Sequence, residues 1–534
     1  MSLISTSYID DLLSMSESPD NNKVNCQAEI PQFFAGSNIL ITGGSGFLGI
    51  LLIEKLLRCC PDLKKIYMIM RSKKGKSSEQ RFKEQFDDPV YERLKKERPN
   101  FIDKIQLVEA DCSELNLGLS LQDQEHLLDT NIIFHVAATV RFNEPIRNAV
   151  NINIRSTKQL LLFAKEMPNL KAFVYVSTAF SHCVNKRIEE KFYSSPMEPD
   201  KLLTLLDILD DKQLDNLTPF LINQWPNVYT FTKAIAEETV RQYSIGIPTC
   251  IVRPSIVMTT ATEPVPGWTN NIYGVSGVVF SAGLGLLRSL HCNSECVAEI
   301  VPADYVVSHI IAACWDTAKR KDTLLSIENT TPKIEEETER VPMYNYVSSC
   351  QNPITWKIFM NYLQKNKNIV PSVYCVWYYM FFLNKHLFVH RLAQIFLHMF
   401  PALIVDVVLF LIGRKPMLIK AYKKIHKFET VISYFTIQEW QFYNDAVVKL
   451  WNRMSLSDRQ IFTFNLSDLD WESCTLAMIP GLRVYLAKDP LSTIEQGKAK
   501  YRKLKIAHYT LLTSLTILLL WNIIKFVLYI ISLW

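Results

Sequence analysis

The chain reads as an α/β protein: a parallel, doubly wound sheet, then a smaller and mostly helical region, then a C-terminal membrane segment. Three observations carry this reading. Short apolar runs alternate with longer amphipathic stretches from Ser37 to about residue 257, a glycine-spaced turn follows the first of those runs, and residues 506–534 contain one formally charged side chain, Lys525.

At 534 residues the chain exceeds the roughly 100 to 200 residues of an ordinary domain, so at least two folded parts are expected. The opening text SLISTSYIDDLLSMSESPDNN is polar and acidic with no apolar h-region. A cleaved secretion signal is therefore not expected, and residues 1–35 read as a mobile tail. Candidate strands are NILIT at 38–42, KIYMIM at 65–70, KIQLVEA at 104–110, NIIFHVAA at 131–138, KAFVYVST at 171–178 and TCIVRPSIV at 249–257. Strands separated by helical stretches form the βαβ pattern, and six of them suffice for a Rossmann sheet spanning residues 36–350. The charged, turn-forming text TPKIEEETERVPMYNYVSSCQN between residues 330 and 352 marks the end of that part. Residues 351–505 are rich in aromatics but show no period from which a fold follows.

Composition narrows the function. Apolar residues make up 48% and charged residues 21% of the chain, as in a globular protein. A net charge of +5 over this length is too weak for a nucleic-acid partner. The 12 cysteines are scattered, include the adjacent Cys59 and Cys60, and form no CxxC, so they read as reduced thiols facing the cytosol, with no metal site. His135 is a lone histidine beside a buried strand and reads as a core or loop residue.

The turn Thr42-Gly43-Gly44-Ser45-Gly46-Phe47-Leu48-Gly49 sits between a strand and a helix that Pro61 ends. Gly43, Gly46 and Gly49 have the spacing of a dinucleotide turn, in which the backbone approaches a pyrophosphate and helix N–H groups hold it. Thr42, Ser45 and Phe47 belong to the same cofactor surface. Where an NAD enzyme places an acidic residue after the second strand, this chain has Arg71-Ser72-Lys73-Lys74-Gly75-Lys76. A basic group there suits a 2′-phosphate, so the cofactor read from the sequence is NADPH; the lysines alone would also make an ordinary solvated loop. Asp111 is a candidate for the adenine amino group or an ordinary strand-end carboxylate. Ala137 and Ala138 are small enough for a strand end lying against a cofactor.

In Asn227-Val228-Tyr229-Thr230-Phe231-Thr232-Lys233, Tyr229 and Lys233 stand four apart on one helix face. An ammonium at that distance lowers the phenol's pKa and binds the nicotinamide ribose, while the phenol gives its proton to a carbonyl oxygen as hydride arrives. Thr178 is the candidate hydroxyl that orients the carbonyl, with Ser177 as the alternate. Asn153 is either a helix cap or a support for the lysine through water. Neither a Ser-His-Asp nucleophile elbow nor HExxH occurs, which turns the reading away from hydrolases.

These residues, with TGGSGFLG, HVAATVRFNEP, FVYVSTAF, PNVYTFTKAIAE, IVRPSIV, EIVPADYVV, MYNYVSS and PALIVDVVLFLIGRKP, resemble the alcohol-forming fatty acyl-CoA reductases, extended short-chain dehydrogenase/reductases with a male-sterility type C-terminal domain. The likeness covers roughly residues 33–480. It implies reduction of a long-chain fatty acyl-CoA by two NADPH, through an aldehyde, to a primary alcohol, with Tyr229, Lys233 and Thr178 in the catalytic set and Gly43, Gly46 and Gly49 on the pyrophosphate. Ser156 departs from the glycine common in related sequences. The long segment between Thr178 and Tyr229 and the stretch NIYGVSGVVFSAGLGLLRSL at 271–290 are the candidate acyl-chain surfaces. The rival readings are a sterol-type dehydrogenase/isomerase or nucleotide-sugar epimerase, which share the sheet and the Tyr/Lys pair, and a membrane scaffold without turnover.

The 19 residues before Lys525 carry no formal charge, close to the roughly 20 needed to cross a hydrocarbon core. The basic text KAKYRKLK just upstream keeps the catalytic part on the cytosolic side by the positive-inside tendency. Residues 506–534 are thus an expected anchor in the bilayer, that of the endoplasmic reticulum before the peroxisome. The runs at 373–383 and 390–416, interrupted by Pro401 and Asp406, read as interfacial segments or a greasy entry for the acyl chain, not as spans.

Overall fold

The structure is a computed structural model that describes residues 28–142, 144–327, 340–366 and 368–533. Residues 1–27 of the expected tail lie outside the described residues. Its last part does not behave as a tail: Glu29–Phe34 is a helix, α1, with Ile30 and Phe34 fully buried. The carboxylate of Asp458 accepts from the backbone N–H groups of Glu29 and Ile30, which serves the open N-terminus of α1.

The strands follow the apolar runs: β1 Asn38–Thr42, β2 Lys65–Met70, β3 Ile105–Glu109, β4 Ile132–His135, β5 Ala172–Val176 and β6 Thr249–Pro254. Helix α2, Phe47–Cys59, joins the first two, and α3, Ser156–Ala164, follows β4 through a π-helical turn, Asn151–Arg155. Helix α4, Val228–Tyr243, precedes β6. A seventh strand, β7 Met343–Tyr346, closes the edge, so the parallel order is β7-β6-β5-β4-β1-β2-β3. The text around β7 reads as a boundary in the sequence because MYNY is four residues long and has an asparagine in its middle. Asn345 is buried, and its Nδ2 donates to the carbonyls of Ile188 and Tyr443. Packing outside the sheet holds what local pattern does not announce.

Each buried strand serves two cores, because side chains alternate across the sheet. Ile39 and Ile41 face the core shared with α2 and with α5, Ala303–Ile327, whereas Leu40 faces the core under α3 and α4. Ser156 returns its hydroxyl to the Ile152 carbonyl at 2.5 Å.

The C-terminal region is built from α6 Trp356–Asn366, α7 Phe400–Leu411, α8 Leu418–Thr436, α9 Trp471–Gly481 and α10 Ile494–Ser532. It packs onto the catalytic part. Lys55 of α2 donates to the Ile461 carbonyl at 2.6 Å and also pairs with Glu263. Gly267, at φ +73°, lies so close to α9 that a Cβ there would stand 2.1 Å from the Ala477 carbonyl oxygen; a Cβ on Gly481 would stand 2.0 Å from the Gly267 oxygen. Among the described residues, two helical stretches are long and apolar enough to cross a membrane, Leu387–Leu411 and Leu491–Ser532. The apolar part of α10 is exposed along its length, and Lys525 lies over the Trp521 ring at 5.3 Å.

The Gly267–Gly481 contact sets an expectation. Gly267→Ala combines a positive φ with a backbone collision and should cost about 1–3 kcal/mol or more, read as a lower unfolding midpoint of the full chain in detergent. Gly246→Ala, with a positive φ but open space around its Cβ, should cost clearly less. Equal losses in the two variants would show that the contact does not join the two regions.

Candidate active site

At the carboxyl ends of β1, β4 and β5 a cavity of about 770 Å³ opens, at the point where strand order reverses and such sheets bind ligands. Gly43, Ser45, Gly46, Phe47 and Gly49 line one end, followed by Arg71, Asp111 and Ala137, then Ser177, Thr178, Tyr229 and Lys233. Most of the residues singled out from the sequence therefore converge on one cleft.

Gly43 adopts φ +73°, and a Cβ there would approach Ala137 N to 2.7 Å. On Gly49 a Cβ would meet the Gly43 carbonyl oxygen at 2.2 Å. Only glycine permits both the turn and the approach of α2. Gly46 caps α2 without a side-chain hydrogen bond, so the first N–H groups of that helix are free for an anion. Thr42 stands beneath the turn: its hydroxyl bonds His135 Nδ1 at 2.7 Å and accepts from Ala137 N at 3.2 Å. His135 also meets the Thr157 hydroxyl at 3.0 Å. Burial, then the charge of Lys233, pushes its pKa down to about 3, so it is a neutral core histidine at neutral pH.

At the far end of the turn Arg71, Lys73, Arg81 and Arg141 share the cavity wall. Burial lowers the pKa of Lys73, and the charges of Arg71, Arg81, Arg141 and Lys74 lower it further. Two carboxylates of the wall answer them: Asp111 pairs with Arg71 at 2.8 Å and Glu144 with Arg141 at 3.8 Å. Burial pushes the Asp111 carboxyl up, but hydrogen bonds from Arg71 and Ser113 outweigh it and hold it below the usual range. Crowded cations of this kind favour an anionic ligand. The glycine cradle and the basic end together fit a dinucleotide that carries a 2′-phosphate. Arg81, whose guanidinium reaches the Ser45 hydroxyl at 3.4 Å and the Arg71 carbonyl, is absent from the sequence reading. It lies one helix beyond the expected basic loop and has no motif of its own.

Tyr229 and Lys233 are one turn apart on α4, whose N-cap Asn227 accepts from Thr230 N at 2.9 Å. Burial pushes the Tyr229 phenol up to about 12, and a hydrogen bond with Thr178 opposes that rise. The ring packs edge-on to Phe142 at 6.0 Å. Lys233 is 1% exposed. Its ammonium donates to the Val176 carbonyl at 2.7 Å and the Tyr175 hydroxyl at 3.2 Å, and burial lowers its pKa to about 7 despite the nearby Glu237. Thr178 thus faces Tyr229, whereas the Ser177 hydroxyl is turned to Glu237 at 2.5 Å. Asn153 lies in the π-turn and is buried; it accepts from Thr139 N at 3.0 Å and donates to the Thr232 hydroxyl at 2.9 Å, beside Lys233 in sequence.

Behind the pair lies a network the sequence reading misses. Glu237, one turn beyond Lys233, forms a fully buried ion pair with Arg253 at 2.6 Å and accepts from Ser177, Ser181 and His182. Burial raises its carboxyl, but Arg253 and His182 more than offset this and hold it well below the usual carboxylate range. Arg253 also donates to the carbonyls of Glu189 and Lys191, each at 3.1 Å. The signal was available: Tyr229, Lys233 and Glu237 recur every four residues along one helix face.

The apolar part of the cavity is lined by Val275, Val278, Val279, Leu290, Met360 and Phe435, among others. Within the long segment after Thr178, only Phe180 is part of the wall among the described residues; the helices Pro199–Ile208 and Asp211–Ile222 pack instead on the core under α3 and α4. A second, smaller apolar cavity shares Val279 and Met360 with the first and continues along Gly283, Leu363, Ile479 and Tyr501. Away from the cleft, ligand atoms of His398, His426 and Glu429 lie within 4.8 Å of one another. Arg288 N donates to His398 Nε2 at 2.9 Å, so Nδ1 carries the ring proton towards His426 Nε2, 3.0 Å away. A cation on Nδ1 would leave that ring facing a donor at both ends, and the trio reads as a hydrogen-bond chain.

Comparison with known proteins agrees with this geometry. Two family models, each described as male sterility protein, match residues 41–310 and 397–489. The chain is 38% identical over 499 residues to fatty acyl-CoA reductase wat of Drosophila melanogaster, covering 93% of each chain. It is 36% identical over 506 residues to human fatty acyl-CoA reductase 2, again covering 93% of each. Among solved structures, the reductase domain of a nonribosomal peptide synthetase from Mycobacterium tuberculosis superimposes with a TM-score of 0.53 at 14% identity, over 89% of this chain and 98% of that one. That likeness shows a shared fold.

The buried Glu237–Arg253 pair should be far more costly to break than to replace. Arg253→Met or Glu237→Gln alone is expected to destabilise the chain by about 3–5 kcal/mol, and the double replacement by less than the sum. Denaturant unfolding of the four forms in detergent measures this, and strict additivity would show that the two charges do not act as a pair.

Proposed function

This chain belongs to the fatty acyl-CoA reductase family, and we propose from that premise that Tyr229, Thr178 and Lys233 carry its chemistry. The protein is an NADPH-dependent oxidoreductase that reduces a fatty acyl-CoA, through the aldehyde, to a primary alcohol with release of CoA. NADPH supplies hydride when bound, once for the thioester and once for the aldehyde. The rest of the reaction falls to the protein's own groups. The Gly43–Gly49 turn and the N-terminus of α2 hold the diphosphate; Arg71, Lys73 and Arg81 hold the 2′-phosphate; Asp111 positions Arg71.

The observation that carries the assignment is the placement of Tyr229 against Thr178 in the cavity wall, with the Lys233 ammonium one turn behind. At a pKa near 12 the phenol is protonated at neutral pH, as a hydrogen-bond donor to a developing oxyanion must be. Tyr229 and Thr178 hold the thioester oxygen in the first reduction, and the oxyanion collapses as CoA leaves as thiolate. In the second reduction Tyr229 passes its proton to the alkoxide, with Lys233 stabilising the phenolate that forms. Ser177 and Asn153 are positioning residues: the first fixes Glu237 behind the lysine, the second ties the loop after β4 to α4.

The acyl chain lies along Val275, Val278, Val279 and Leu290, and its end passes between Val279 and Met360 into the second cavity beside Gly283. The anchor helix α10 leaves the catalytic part on the cytosolic side, where the basic residues 498–505 remain, and the membrane it enters is that of the endoplasmic reticulum, with the peroxisome as the alternative. A sterol-type dehydrogenase or a nucleotide-sugar epimerase would share the glycine turn and the Tyr/Lys pair, yet would leave the matched C-terminal region without a role.

Two measurements test these assignments. Tyr229→Phe should lower alcohol formation from acyl-CoA by about 10²–10⁴-fold while NADPH still binds, as followed by its fluorescence; near-normal turnover would remove Tyr229 from the chemistry. Gly283→Leu puts a side chain where a Cβ meets open space, and should cut kcat/KM for long acyl chains by about tenfold or more relative to short ones. Gas-chromatographic analysis of products from a chain-length series reads the ratio, and an unchanged profile would place the tail elsewhere.

A further inference from the structure

Hydropathy alone makes Leu387–Leu411, 25 residues long, a candidate membrane span. Its surface is unusual for a protein in water. Phe400, Leu403, Val407, Val408, Phe410 and Leu411 are all exposed, the last two at 70% and 75%. A contiguous apolar surface of this kind marks an interaction site.

The path of the chain argues against a crossing. After α7 the backbone turns at Gly413, φ +73°, and returns as α8, packed beside α7. Asp406, whose charge interrupts the apolar run, closes this hairpin: its carboxylate accepts from the N–H groups of Met417, Leu418 and Ile419, each at 2.9 Å, at the N-terminus of α8. Both arms are attached to one segment of the catalytic body. On the first arm, Arg288 donates to His398 Nε2 at 2.9 Å and to the Leu397 carbonyl at 2.7 Å. On the second, the Tyr422 hydroxyl donates to Leu286 at 2.9 Å and the Thr436 hydroxyl to His291 at 2.8 Å. A span by the first arm would draw α8 through the bilayer with it. Yet α8 carries Lys420, Lys423, Lys424 and Lys427, all exposed, and facing four such charges into hydrocarbon is far more costly than the single Lys525 of α10.

The charge pattern names the occupant. From Arg414 to Lys427 there are six basic residues and no acidic one. An apolar helix face beside a row of cations fits the boundary between acyl chains and anionic headgroups. The anchor lies close by. Arg288 stands over the Trp377 ring at 5.7 Å, and Trp377 Nε1 donates to His508 Nδ1 at 3.1 Å, at the foot of the apolar part of α10.

We propose that the α7–α8 hairpin is a monotopic membrane-docking element. It lies in one leaflet, on the side of the catalytic domain, with its lysines on anionic lipid headgroups. Where the reductase reading holds, the hairpin also leads the substrate in, since Ile432, Phe435 and Thr436 at the other end of α8 line the cavity.

The test uses the full chain in phosphatidylcholine vesicles, with and without phosphatidylserine, and a membrane-impermeant maleimide read by mass on the peptide concerned. Native Cys350, exposed on the catalytic body, reports molecules whose catalytic part faces outwards. Lys415→Cys should label from that same side, while Phe410→Cys should label at least about tenfold more slowly until detergent is added. Phosphatidylserine should increase the protection of Phe410→Cys, and replacing the four lysines of α8 by glutamine should abolish that increase. Labelling of Lys415→Cys only after permeabilisation would mean a span and overturn the proposal. Equal labelling of Phe410→Cys and Lys415→Cys would mean a hairpin in water, and phosphatidylserine protection that survives the glutamines would overturn the headgroup contact. No acyl-CoA or NADPH is present, so the outcome is independent of the reaction assigned above.

Discussion

A lysine ammonium buried to 1% exposure at the end of the central sheet is the constraint around which this molecule is arranged. Burying a cation is costly unless donors and counter-charge are organised for it. Val176 and Tyr175 of β5 receive the Lys233 protons directly, and Glu237 supplies negative charge one helical turn away. Glu237 needs its own partner, which is Arg253 of β6, and Arg253 in turn holds the carbonyls of residues 189 and 191. One ammonium therefore ties two strands, one helix and the segment after Thr178 into a single arrangement.

The same logic explains why the C-terminal region cannot be treated as an appendage. The cavity that begins at the glycine turn is closed by residues of α6 and α8, Trp356, Phe359, Met360 and Phe435 among them. The close contact of Gly267 with Gly481 and the hold of Asp458 on α1 join that region to two segments of the catalytic part that are far apart in sequence. A sheet that opens a cleft at its switch point provides cofactor chemistry in many proteins; here the apolar wall of the cleft is shared between residues 275–290, ahead of β7, and residues of the C-terminal region after it.

How much of this is legible in the sequence follows from how local each signal is. Strands β1 to β6 are legible as local patterns, since periodicity and spacing are properties of a few consecutive residues, and the glycine turn and the Tyr229/Lys233 pair, singled out by the same local spacing, stand on one cavity wall. Thr178 is preferred to Ser177 on position alone, and the structure separates the two by partner: one faces Tyr229, the other Glu237. Strand β7 escapes because its stability comes from Ile188 and Tyr443, far away in sequence. Arg81 and Arg253 escape for the same reason: a basic residue becomes part of a site only when the fold brings it there. The segment between Thr178 and Tyr229 shows the converse error, where unusual length suggests a substrate surface but its leucines serve the core under α3 and α4.

Asp406 shows how a single side chain changes the meaning of a hydropathy pattern. In sequence it is an interruption that weakens a membrane reading. In the fold it caps α8 and turns the apolar helix back on itself, so the interruption is what makes a hairpin out of a would-be span. The returning helix then ends at Ile432 and Phe435 on the cavity wall. Ile432 and Phe435 stand on the same cavity wall as Tyr229 and Thr178, so a lipid tail that reached this end of α8 would exchange one apolar surface for another.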